Sequence, residues 1–537
     1  MKTSKESGVD LLLFIGLILW HSWMTLTLFG SQNAWKRLWS RDPIVSGKHP
    51  LHLYHGTLGA RSLRLSGSLT CYDPGFQAGY PKTPVFDPSS RPAELCLLFA
   101  NGAFSPLAYK IGVALCSLIV PFVFGFTALC CGWSRCARFL SAFLGSLVWW
   151  SRPTQLALHE GRIDLLFGTM IALMLMAMHL YFHRAPRARH WPGFIAFGSL
   201  GSYIHPTLFL ILFPLLLIYY LTVGAKHRPV WHVLLACAVT MPLVCNLFWL
   251  FDWIEFWWLR MPFQVAEEML PHRTPATFWG SPLWGSPLDR ALALFLVPLG
   301  IIGTIMINEH RDRVTARVLG LGLIGFLVLG VGGILNRSLG RFSTSHLYVS
   351  SLMFAVPLAA FAVDRFVKML SNSRPRQITV AVLATGLLAF LGWQLEGSRA
   401  WTRLCSAKPF EIGLTEPQWR LIAELRAHTT NQARSRWQDC PEKSDSHWSC
   451  LLPMFSDRTF MGGLDREESI EHTVGGLTRN SLGRRELSSW TLEQFREYCR
   501  QYNIGWIACW SDEMKRLLSK WKISDSEKKK GTTLFDE

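Results

Sequence analysis

What most constrains this chain is a succession of apolar segments long enough to cross a bilayer. About eleven occupy residues 10–395, near 10–29, 106–130, 138–151, 163–182, 193–206, 207–223, 230–251, 290–308, 316–335, 347–363 and 377–395. A hydrocarbon core of ~30 Å needs about 20 apolar residues at the helical rise of 1.5 Å. Most of the segments supply that. Two long polar stretches break the pattern, roughly Ser31–Ser105 after the first segment and Glu396–Glu537 after the last. The sequence therefore predicts a polytopic α-helical membrane protein. Its domains are a membrane body over residues 1–395 with a large first loop at 31–105, and a small outer α/β domain over 396–537.

Charge sets the expected orientation. Sixteen basic residues cluster on one side if the segments alternate: Lys2 and Lys5, Arg135 and Arg138, Arg184, Arg187 and Arg189, Lys226 and Arg228, Arg311, Arg313 and Arg317, then Arg365, Lys368, Arg374 and Arg376. The short opposite loops carry seven: Arg152, Arg162, Arg260, Arg273, Arg290, Arg337 and Arg341. The positive-inside rule then puts the N-terminus inside and both polar stretches outside. A net charge of +17 does not indicate nucleic acid here, because much of it lies in these topological clusters. The basic start followed by Leu11–Gly30 reads as a retained first span rather than a cleaved signal, whose core is usually shorter. The segment 138–151 is short, and the pair flanking His205-Pro206 is tightly joined. Such interrupted segments need protein or water to satisfy their backbone.

Thirteen cysteines show no zinc spacing. Cys440 and Cys450 are spaced to close a short outer loop, but partners are not readable from sequence. Loop 253–289 carries Trp253, Phe256, Trp257, Trp258, Trp279 and Trp284, either as an interfacial aromatic belt or as a lid or platform for lipid or sugar. In the tail, Glu416–His428 has a helical pattern with Trp419, Ile422, Ala423 and Leu425 inward. Leu451–Phe455 reads as a strand, Ser489-Trp490-Thr491 with Glu493 as the cap of a helix running to Gln501, and Ile504–Trp510 as a strand.

The densest polar chemistry lies in the first loop, Cys71-Tyr72-Asp73-Pro74-Gly75 through Gly79-Tyr80-Pro81 and on to Asp87-Pro88. Asp87 is placed either to cap the helix entering at Arg91–Leu95 or to act on substrate. Asp73 precedes no helical pattern. As a carboxylate on an exposed loop near the membrane surface, it suits a general base for a sugar hydroxyl. Glu160, Arg162 and Asp164 sit at the mouth of a span, where ionisable groups must pair or stay wet. They form either a local ion-pair set or a polar wall to a binding site. His205 is either a helix-terminal histidine or part of that wall. Arg341 lies in the short connection Leu335–His346, and a guanidinium there can grip a phosphate with both arms of its fork.

This layout resembles the GT-C superfamily of integral-membrane glycosyltransferases. The resemblance rests on Asp73-Pro74 with Gly79-Tyr80-Pro81, on Arg341-Phe342, and on Tyr502-Asn503-Ile504-Gly505-Trp506; it is nearest to uncharacterised bacterial branches. It implies transfer of a sugar from a polyprenyl-phosphate donor to a glycan, lipid or protein acceptor outside a bacterial inner membrane. Asp73 and Asp87 would then be catalytic candidates. Glu160, Arg162, His205 and Arg341 would bind substrate, with Arg341 on the lipid phosphate. The first loop lacks the adjacent Asp-Asp or Asp-Glu pair of protein mannosyltransferase-like members, so the cofactor is unknown and a divalent cation is left open. The rival reading is a non-catalytic scaffold or a transporter for envelope polysaccharide. The nearly charge-free spans and the lack of two related halves speak against transport.

Overall fold

The computed structural model describes residues 3–85, 87–184, 191–224, 227–259, 287–309, 313–332, 347–371, 407–438, 447–464, 476–477, 481–483 and 485–520. The chain forms two compact units. One comprises Met1–Leu38, Ile111–Leu247 and Pro262–Phe410; the other comprises Trp39–Lys110, Phe248–Met261 and Glu411–Glu537.

The first unit is helical. Ten of the eleven expected spans coincide with helices, and residues 377–395 lie outside the described residues. Among the described residues, three helical segments are long and apolar enough to cross a membrane: Pro106–Cys130, Ile163–His183 and Leu347–Met369. A fourth is reached if the bent pair Pro229–Cys245 and Leu247–Phe256 counts as one span. Shorter apolar helices include Leu11–Thr27, Leu212–Val223, Phe295–Asn308 and Val314–Gly330. Helix Leu347–Ser371 is the hub, packing on Pro287–Glu309 and Arg313–Gly332. Small residues let those backbones close up. A β-carbon on Gly303 would collide with the Leu358 backbone, and one on Gly330 with the Tyr348 backbone. Polar side chains join helices in pairs: Thr169 to Ser350 at 2.8 Å, and Trp149 Nε1 donating to Ser117 Oγ at 2.8 Å.

The second unit brings the first polar loop and the tail together. Ile44 bridges Ile412, Val45 N–H donates to Glu411 O at 2.8 Å, and Phe460 N–H donates to Gly75 O at 2.8 Å. In the loop, β1 (Cys71–Asp73) and β2 (Tyr80–Lys82) form an antiparallel hairpin with Asp73 opposite Tyr80. In the tail, β3 (Arg434–Trp437) lies between β4 (Phe460–Met461) and a final strand, Ile504–Ala508, all parallel. Helices Leu492–Gln501 and Asp512–Lys520 turn Phe495, Tyr498, Met514 and Leu518 into one apolar core with Met461 and Leu482.

Three tail expectations are corrected. Leu451–Phe455 is not a strand: it spans the end of a 3-10 turn, His447–Leu451, and a short helix, Leu452–Ser456. Pro453 falls in that helix's first turn, where a missing N–H is tolerated. Helix Glu416–His428 buries Leu421, Ile422 and Leu425, while Trp419 is 42% exposed and Ala423 faces solvent. Thr491 caps the later helix, but its reciprocal partner is Gln494, the third helical residue, rather than Glu493.

Candidate active site

The first-loop site is built on helix His49–Ser66. Pro50 opens it, and Gly67, at φ 75°, closes it in the left-handed conformation that favours glycine. His52, His55, Gly56 and Gly59 recur at helical spacing on one face. Glycine is required at 56, because a β-carbon would stand 2.7 Å from Ala93 Cβ on the facing helix, Arg91–Leu98. That close approach brings the histidines up to the loop that follows the hairpin.

Asp73 ends β1 and is 1% exposed. The Tyr54 hydroxyl lies 2.8 Å from both of its oxygens, Gly75 N–H donates to Oδ1 at 2.7 Å, and the Tyr80 hydroxyl also donates to it. The connection between the strands is strained at Gln77 and Ala78, which hold positive φ of 55° and 63° before Gly79 at 94°. Only glycine adopts that region freely, and such strain costs roughly 1–3 kcal/mol per residue. Phe76 packs on Phe460 of the tail at 6.1 Å, which helps hold the turn. Burial raises the Asp73 carboxyl above its ordinary value, against the pull of Gly75 N–H, the Tyr54 hydroxyl, His55 and the Tyr80 hydroxyl. Burial and then the Asp73 charge push both phenols well above theirs, so they serve as donors.

Asp87 lies in the same network. His52 Nδ1 and His55 Nδ1 both donate to its Oδ2 at 3.1 Å, and His55 Nε2 lies 2.8 Å from the Tyr80 hydroxyl. A hydrogen-bonded line thus runs from Asp73 through Tyr80 and His55 to Asp87 and His52, all of it buried. Burial alone would raise the Asp87 carboxyl, but the two histidines outweigh it and hold the group well below the usual carboxylate range. Beside this line, Lys82 Nζ donates to Glu94 Oε1 at 2.5 Å. Arg91 Nε stands 3.9 Å from Glu94 Oε2, and its guanidinium lies 4.4 Å over the Trp249 ring. Among the described residues no group of three or more His, Cys, Asp or Glu side chains is arranged to hold a metal ion. Asp73 is engaged by phenols and an amide rather than by further metal-ligand side chains, a donor set that does not fit a divalent cation.

In the membrane unit, Arg162 Nε donates to Glu160 Oε2 at 3.2 Å beside the Gly161 turn. His205 Nδ1 accepts from Leu208 N–H at 3.1 Å, capping helix Pro206–Val223, and its Nε2 stands 3.6 Å from Asp164 Oδ2. Arg341 lies outside the described residues.

No family model matches the sequence, and no curated protein matches it. Solved structures do. The apo oligosaccharyltransferase of Archaeoglobus fulgidus matches over 91% of this chain and 68% of its own, with a TM-score of 0.54 and 10% identity. The same enzyme tethered to an acceptor peptide containing the NVT sequon matches over 91% and 68%, at 0.53 and 10%. Its complex with an inhibitory peptide and a dolichol-phosphate matches over 92% and 69%, at 0.50 and 10%. The chain shares the fold of these oligosaccharyltransferase structures.

Within this fold two expectations about the first loop are corrected. Asp73 is not on an exposed loop: Tyr54, nineteen residues earlier, covers it from the helix. Asp87 does not cap a helix. It precedes the 3-10 turn Pro88–Ser90 without a side-chain cap bond, and the histidines take its carboxylate instead. Sequence reasoning missed His52, His55, Tyr54, Lys82 and Glu94. One signal was present, since His49, His52 and His55 recur every three residues in His-Pro-Leu-His-Leu-Tyr-His, the spacing of one helix face.

Proposed function

We propose that this protein is a GT-C-type glycosyltransferase that moves a sugar from a polyprenyl-phosphate donor to an envelope acceptor outside a bacterial inner membrane. The observation that carries the reading is the fold match along nine-tenths of the chain. The dolichol-phosphate bound by the archaeal relative supports a lipid-linked donor. Asp73 serves as the base. An acceptor hydroxyl replaces one phenol on the carboxylate and gives up its proton while its oxygen attacks the sugar, and the lipid phosphate departs with the bonding electrons. The raised proton affinity of a buried carboxyl favours that transfer. Asp87, with His52 and His55, holds the Tyr80 side of Asp73. Arg341 would grip the departing phosphate, and Glu160, Arg162 and His205 would bind substrate.

One observation favours the second reading, a non-catalytic scaffold: the Asp73 oxygens already have internal donors, as a purely structural carboxylate requires. The experiment that separates the two follows radiolabel from a polyprenyl-phosphate sugar pool in membranes with and without the protein. Label passing into envelope material only when the protein is present supports the enzyme. Label staying lipid-linked at equal protein supports the scaffold.

A further inference from the structure

Helix Leu247–Phe256 and the 3-10 turn Trp257–Leu259 have their polarity reversed. A surface helix in water turns apolar residues inward and charges outward. Here the inward face carries an acid. Asp252 Oδ2 accepts from Ser68 Oγ at 2.8 Å and from Thr70 Oγ1 at 2.7 Å, both on the first loop. Three residues earlier, Trp249 is buried under the Arg91 guanidinium. The outward face is aromatic and aliphatic: Phe251 is 62% exposed, Ile254 61% and Trp258 61%, with Trp253 and Trp257 also exposed. Glu255 is the exposed acid of that face, and its carbonyl accepts from Trp258 Nε1 at 2.8 Å.

Tryptophan combines a large apolar body with one N–H and partitions to the boundary between headgroups and acyl chains. A short helix with aromatic residues outward and its acid tied inward has that boundary as its natural solvent. We propose that Leu247–Leu259 lies in the membrane–water interface, with Phe251, Ile254, Trp257 and Trp258 among phospholipid headgroups and upper acyl chains, and that Asp252 and Trp249 moor the first loop to it. The occupant of the exposed face is phospholipid. The inference rests on the exposure pattern and stands apart from glycosyl transfer.

The test places a photo-reactive benzoylphenylalanine singly at Phe251, Ile254 or Trp258 in the full chain, in nanodiscs of phosphatidylcholine with phosphatidylglycerol. After irradiation, intact-mass measurement should show phospholipid adducts as the main product at all three positions, and several-fold less at the exposed Glu416 of the tail helix. Cross-links to residues 260–286, a covalent dimer, or no adduct would each overturn the proposal, because the face would then be covered by protein or water. The mooring is read separately. Asp252→Ala should raise tryptic cleavage after the exposed Arg64 several-fold while lipid adducts persist, and unchanged cleavage would remove the tether.

Discussion

Breaking the buried pair Lys82–Glu94 should destabilise the protein by an amount that depends on which partner is removed. Both side chains are buried and 2.5 Å apart, so neither charge has water to fall back on. Truncating one partner of such a pair typically costs about 3–5 kcal/mol. The third charge decides where in that range each variant falls. After Lys82→Met, Glu94 still faces Arg91 at 3.9 Å, which places the loss near ~3 kcal/mol. After Glu94→Gln, Lys82 loses the carboxylate it donates to, and Arg91, over the Trp249 ring, loses the one 3.9 Å away. That loss belongs near ~5 kcal/mol. The double variant should cost less than the sum of the singles by roughly 2–3 kcal/mol, because the partners interact directly. Denaturant titration of detergent-solubilised protein, followed by tryptophan fluorescence, measures all three. A Glu94→Gln loss below about 1 kcal/mol, or a larger loss for Lys82→Met than for Glu94→Gln, would refute the reasoning.

Acid should destabilise the protein partly through Asp87. Its carboxyl is held below the ordinary value of 3.8, so its contribution is present above that value and is lost as pH falls through the depressed one. Asp73 acts in the opposite sense, since its raised value favours folding at low pH and that contribution fades as pH rises through it. Melting temperature against pH should therefore fall less steeply in acid for Asp87→Asn than for the native protein; an identical acid limb would count against the histidine pairing. For Arg341, replacement by lysine should weaken donor binding with the protein still in the membrane, because an ammonium lacks the planar fork. Full activity in Arg341→Ala would take the residue out of the mechanism.

The helical body was legible because a membrane solvent demands unbroken apolar runs, and Ile163–Arg184 and Leu347–Ser371 announce themselves that way. The tail was less so. The central strand Arg434–Trp437 reads Arg-Ser-Arg-Trp and buries Ser435 and Arg436, so no alternation of polar and apolar residues marks it. Leu451–Phe455 is an apolar run too short for periodicity to tell helix from strand. Asp73 was identifiable as a carboxylate with no helix to cap. Its burial was not, because that depends on Tyr54 arriving from a helix nineteen residues earlier and on a turn held in left-handed backbone at Gln77 and Ala78. The Asp87 histidines were visible as a helical repeat, but their target becomes defined only when Gly56 lets Ala93 approach.

The central claim concerns the chemistry of Asp73, and Asp73→Asn tests it most directly. Asparagine keeps the size of the side chain and an acceptor for Tyr54 while removing the basic oxygen. The measurement is the rate of label transfer from a polyprenyl-phosphate sugar pool in membranes holding equal amounts of native and variant protein, each checked for an unchanged melting curve. The account predicts a loss of ~10²–10⁴ in rate, the usual cost of losing a general base. Near-native transfer by a folded Asp73→Asn protein would contradict it.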